Sequence, residues 1–147
     1  MALVYERTVP FDISIPREML IVTPVVIGNP NTGRKKEYLA MWDTGSTGTC
    51  ITSRVAAALE LEWKGWSDAI GMTGSKPVSV FEADVFIDSI DFNFVKAREM
   101  VDFNDGLNVV IGMDIIGNGD FSLTRQADGS IRMRFQCPPA CFSKQNC

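Results

Sequence analysis

The residues of this chain best suited to chemistry are Asp43 and the four that follow it, Thr44-Gly45-Ser46-Thr47. They come directly after an apolar run, Tyr38-Leu39-Ala40-Met41-Trp42. A carboxylate set where a strand leaves the core is costly to keep unpaired. Gly45 permits a sharp turn that carries its amide back towards that carboxylate. Thr44 and Ser46 add hydroxyls within local reach. A carboxyl group held in this way can take or give a proton, which is the work of general acid–base catalysis. Taken alone, however, the tripeptide reads more readily as an Asx-type turn with no chemical role.

Other chemistries are thinly supplied. No histidine occurs among the 147 residues, which excludes Ser-His-Asp and Cys-His nucleophiles and every histidine-based metal site. Cys50 stands alone after the turn, while Cys137, Cys141 and Cys147 crowd the C-terminus. Three thiolates, with Cys50 as a fourth, could hold zinc. Their spacing is not that of a zinc ribbon, and Pro138-Pro139 interrupts them. We therefore read a tail with reduced thiols and expect no metal and no cofactor.

Composition narrows the class further. With 46% hydrophobic and 22% charged residues, the chain can fill the core of one globular domain. A net charge of −4 argues against a general nucleic-acid binder. The one basic run, Arg34-Lys35-Lys36, is followed by Glu37 and reads as the solvated tip of a hairpin. Met1 to Arg7 acquires charge too soon for a signal peptide, and no apolar run approaches a membrane span. A cytoplasmic address with no membrane partner is the expectation.

The elements that must position Asp43 are mostly strands. Residues 2 to 9 and Phe11 to Ile15 read as two short extended pieces separated by Pro10. Met19 to Val22 and Val25 to Ile27 are rich in β-branched residues, and Glu37 to Trp42 is the return strand that delivers Asp43. A short strand, Thr49 to Ile51, precedes a helix over Arg54 to Glu60, capped by Thr52 or Ser53. Trp66 to Ile70 and Val78 to Ile87 flank a glycine-rich tip and make a long hairpin. Ile90 to Val95 extends towards Met100-Val101, and Asp102 to Gly106 is a turn. Leu107 to Ile111 is an apolar strand of the kind buried on both faces, ended by Gly112. Met113 to Ile116 makes one or two helical turns. Phe121 to Thr124 and Ile131 to Phe135 are the last strands. Trp63, Trp66, Phe81, Phe86, Phe92 and Phe94 read as core and sheet-packing side chains.

Three stretches together carry a resemblance. Asp43-Thr44-Gly45-Ser46 follows a strand; a glycine-tipped hairpin lies at Ile70 to Lys76; and Val110-Ile111-Gly112-Met113-Asp114 leads from a strand into a short helix. In order and spacing the chain resembles the retropepsin-like aspartic proteases, the retroviral protease fold with its cellular and bacterial relatives, from about Ile21 to Phe135. Retroviral members usually carry arginine where Met113 stands, so the resemblance points towards a cellular or bacterial member.

The resemblance implies an all-β, closed barrel-type acid protease fold with one or two short helices, working as a homodimer on an extended peptide. Asp43 would be the catalytic acid. Thr44 would bond across the dimer, Gly45 would offer its amide to the carboxylate, and Ser46 would bond the outer carboxylate oxygen. Gly71, Met72, Thr73 and Gly74 would form a substrate-binding flap, and Val110 and Ile111 would line the cleft. Asp114 reads as a helix cap or local partner. Only one Asp-Thr-Gly is present, so the second carboxylate must come from a second copy. Residues 1–20 form an N-terminal arm, either a dimer-interface strand or an activation segment; 21–136 form the protease domain; 137–147 form a Cys/Pro tail. The alternative is a module that keeps the fold for dimerisation or peptide binding without turnover.

Overall fold

The computed structural model describes residues 8–13, 20–102 and 106–139. The strand expected before Thr8, the residues Ser14 and Ile15, the centre of the turn after Asp102, and Cys141 and Cys147 lie outside the described residues. The strands are β1 (Thr8–Ile13), β2 (Val22–Gly28), β3 (Lys35–Trp42), β4 (Cys50–Thr52), β5 (Trp63–Gly71), β6 (Gly74–Ile87), β7 (Ile90–Met100), β8 (Leu107–Ile111), β9 (Asp120–Arg125) and β10 (Ile131–Gln136). The helices are α1 (Ser53–Leu59) and α2 (Met113–Ile116). Among the described residues no helix is long and apolar enough to cross a membrane.

Six strands close into a barrel of mixed direction. Their order is β2-β3-β8-β4-β7-β6, and β6 returns to β2 through Asp84, Val85 and Phe86. Closure pairs edges that would otherwise stay open. One parallel and one antiparallel pairing set the position of the site. β3 runs parallel to β8, with Trp42 opposite Ile111, so both strands release their following loops at the same barrel end. β4 runs antiparallel to β8 and so starts from that end. β5 lies outside the closed set, paired only to β6.

The barrel core is built from the alternate positions that the pleat turns inward. Val25, Ile27, Ala40, Ile51, Val85, Val109 and Ile111 are buried there, with Val55 and Leu59 of α1 packed against them. The second sheet, β1-β10-β9, is antiparallel. It joins the same core through Met133 and Phe135 of β10. Phe135 meets the Trp42 ring edge-on at 5.2 Å, and Phe121 of β9 stacks on that ring at 5.8 Å. The Trp42 indole also donates to Thr23 Oγ1 at 2.8 Å. The residue before Asp43 is thus held by three other strands, β2 of the barrel and β9 and β10 of the second sheet.

Local differences from the sequence reading have local causes. β1 runs through Pro10 instead of breaking there, because it is an edge strand and pairs only with β10. The N-terminal arm therefore contributes a strand to its own chain. Thr52 occupies the N-cap position of α1 but makes no capping hydrogen bond; its hydroxyl bonds Asn108 Oδ1 at 3.2 Å instead. The register between β6 and β7 shifts at Asp84, whose carboxylate accepts the Phe94 amide at 2.9 Å. Phe94 adopts a positive φ of 55° there and is turned out to solvent. Trp63 and Trp66 are not core residues: they are 50% and 68% exposed and pack edge-to-face on each other.

Candidate active site

The Asp43 loop is fastened to the turn after β8 at several points. The Asp43 amide donates to Ile111 O at 3.0 Å, and the Met113 amide donates to Ser46 O at 2.8 Å. The Thr49 hydroxyl donates to Asp114 Oδ1 at 2.8 Å and accepts the Gly112 amide at 3.3 Å. Asp114 is therefore tied to the site loop, and the same Oδ1 also accepts the Ile115 amide at 3.0 Å in the first turn of α2, whose N-cap position is Gly112. The two loops touch backbone to backbone. A Cβ added at Gly112 would stand 2.5 Å from the carbonyl carbon and oxygen of Gly48. Only a glycine lets them come this close.

Within the loop, the Gly45 amide donates to Asp43 Oδ1 at 2.8 Å, and the Ser46 amide donates to Asp43 O at 3.2 Å. This is Asx-turn geometry. What separates it from an ordinary turn is its setting, at the barrel end, clamped by the second loop, with the carboxylate half-exposed. The Ser46 hydroxyl donates to Gly48 O at 2.7 Å, an internal bond that stiffens the loop, instead of to the outer carboxylate oxygen of Asp43 as the resemblance implied. Thr44 is exposed.

β5 and β6 form a hairpin whose end pair is Gly71 and Gly74, so Met72 and Thr73 make the tip. Gly74 has φ +122°, a conformation side chains rarely adopt. Ile70 and Met72 are almost fully exposed, apolar side chains with no cover in the single protomer.

Between the loop and the hairpin lies an open groove of about 590 Å³. Ser46 and Thr47 form one wall, Ala69, Ile70 and Lys76 of the hairpin another, and Cys50, Val78 and Arg98 the floor. Val110 and Ile111 are not among its lining residues; they are 5% and 0% exposed and belong to the barrel. The pleat turns Ile111 into the barrel core, and Val110 pairs with Cys50 of β4. An adjoining hollow past Val78 and Met100 reaches Trp66.

Of two further groove residues, Arg98 escaped the sequence reading and Cys50 entered it only as a possible zinc ligand. Arg98 donates to Thr47 Oγ1 at 3.3 Å and sits opposite Cys50 in the β4–β7 pairing. Burial pushes the Cys50 thiol up, against smaller downward pulls from Ser46 and Arg98. Neither belongs to a motif; only strand pairing brings them beside Asp43. Among the described residues no group of three metal-ligating side chains comes together.

Comparison with known proteins places the architecture. No family model matches the sequence, and no curated protein matches it. Among solved structures the chain is similar to a retropepsin-like aspartic protease from Rickettsia conorii. The match has 15% sequence identity and a TM-score of 0.50, over 88% of this chain and 92% of that one. At that identity the likeness speaks for the fold, and together with the closed six-stranded mixed barrel it shows that this chain has the retropepsin-like fold.

Proposed function

We propose that the chain is an aspartic endopeptidase that acts as a homodimer. The observation that carries the reading is Asp43 itself, a half-exposed carboxylate hydrogen-bonded to the Gly45 amide at the end of a barrel strand, on a loop whose Gly45, Ser46 and Thr47 line a groove beside a glycine-ended hairpin. One carboxyl does not suffice. A twofold axis through the loops would set Asp43 of two copies side by side, where two carboxyls in contact share one proton. A water held between them loses a proton to the carboxylate and attacks the peptide carbonyl carbon. The protonated partner donates to the carbonyl oxygen. Collapse of the tetrahedral adduct returns the protons and releases the amine.

In this reading the Thr44 hydroxyls tie the two loops together across the axis, and Gly45 and Ser46 hold the carboxylate geometry. Gly71, Met72, Thr73 and Gly74 close over an extended substrate and bond its main chain, as strand addition does elsewhere. Closure keeps bulk water out and strengthens the electrostatics inside.

The test is cleavage of a mixed peptide library by the purified full chain from acidic to neutral pH. We expect turnover with a bell-shaped pH profile. Pepstatin should inhibit it, and Asp43→Asn should abolish it, a loss of several orders of magnitude in kcat. Turnover that survives in Asp43→Asn overturns the reading. A folded, dimeric chain that binds peptides without cutting them would make it a non-catalytic module.

A further inference from the structure

The groove beside Asp43 holds a cation whose only described partner is neutral. Arg98 is half-buried on its floor, and its guanidinium donates to the Thr47 hydroxyl. Among the described residues it makes no ion pair, unlike Lys64, Lys96, Arg34 and Arg54. A guanidinium part-way out of water gains most from a carboxylate, which it binds through two parallel hydrogen bonds.

Strand register shows why the protein's own acids do not fill that role. Arg98 pairs with Cys50 on one side and Val80 on the other, so its side chain shares their face of the sheet. Lys76 and Val78 precede Val80 at alternate positions of β6, and of these residues all but Val80 line the groove. Glu99 and Asp68 border the groove but stand one residue out of this phase. Their pairing partners, Ile51 and Pro77, belong to the opposite face. The acid that does share this face, Glu82 next to Val80, is held by Lys96 and Lys64, so the stretch of the face that lines the groove carries Arg98 and Lys76 and no acid in phase.

We propose that Arg98 is a specificity-determining residue that selects substrates with an acidic side chain, Asp or Glu, within a few residues of the scissile bond. The inference rests on the protease reading above. A peptide laid in extended form under the hairpin passes Thr47 and presents alternate side chains to the groove floor. A carboxylate there replaces the solvent that Arg98 loses, and Lys76 on the hairpin adds a second positive charge as the hairpin closes.

Short synthetic peptides differing only in Glu or Gln at successive positions around the cut test this. We expect kcat/KM for the full chain to be about tenfold or more higher for Glu at one position. Arg98→Gln should bring that ratio to about one, read within the variant and so independent of any change in its overall rate. Arg98→Glu should shift the preference to Lys at the same position, a reversal that mere loop support would not produce. Arg98→Lys retains the charge and serves as the folding-matched control. Cleavage without an acidic preference, or an Arg98→Gln loss equal for all peptides, overturns the inference and leaves the protease reading standing. Binding of the same peptides to Asp43→Asn separates the other case. Preference for Glu without cleavage by the unmodified chain overturns the protease reading and keeps the Arg98 assignment. Absence of both overturns both.

Discussion

At the scale of single residues, the groove chemistry is open to direct measurement at Cys50. Burial outweighs the pulls of Ser46 and Arg98, so its folded thiol holds its proton to higher pH than a free cysteine does. The thiolate is the reactive form. Alkylation by iodoacetamide, followed on the peptide containing Cys50, should therefore be slow at neutral pH. It should rise with a midpoint above that of free cysteine. A midpoint below it would mean that the Arg98 charge, and not burial, dominates at the thiol. Gly112 offers a second residue-scale test. Its missing Cβ is what lets Gly48 approach, and Gly112→Ala should cost about 1–3 kcal/mol by overpacking. Gly71→Ala meets nothing within 4 Å and should stay within about 0.5 kcal/mol in the same denaturation experiment.

At the scale of elements, the Asp43 loop depends on β10 although it never touches it. Phe135 is fully buried against Trp42, and Trp42 ends the strand that carries Asp43. Phe135→Ala should lower stability by about 3–5 kcal/mol in chemical denaturation, through lost burial and the cavity left behind. The hairpin behaves oppositely. Its tip has apolar side chains without neighbours in the protomer, so Met72→Ala should leave the melting temperature nearly unchanged. Under the proposed function the same change should weaken substrate binding, seen as a raised KM.

At the scale of the whole molecule, the proposal requires two copies because one chain supplies one Asp-Thr-Gly. Activity should then fall faster than linearly on dilution. Adding an equal amount of Asp43→Asn protein should reduce wild-type turnover to about half, since random pairing diverts half of the active chains into mixed dimers. Turnover strictly proportional to concentration and unaffected by the variant would remove the dimer from the reading.

Much of the site was legible along the chain because it is local. Asp43-Thr44-Gly45 announces its own turn, the glycines at 71 and 74 bound their hairpin, and the apolar run ending at Gly112 is a buried strand. Each depends on backbone freedom or periodicity within a few residues. Alternation alone misled where register was disturbed or an element stood free. Phe94 faces outward because of the shift at Asp84, and Trp63 and Trp66 are exposed because β5 lies outside the barrel. Only the tertiary structure decided which groups share a groove with the loop that follows Asp43. Cys50, Val78 and Arg98 come from three strands far apart in sequence, and parallel pairing, barrel closure and register, all non-local, bring them to one face. The sequence by itself determined the loop that could hold a reactive carboxyl; the fold decided what stands beside that loop.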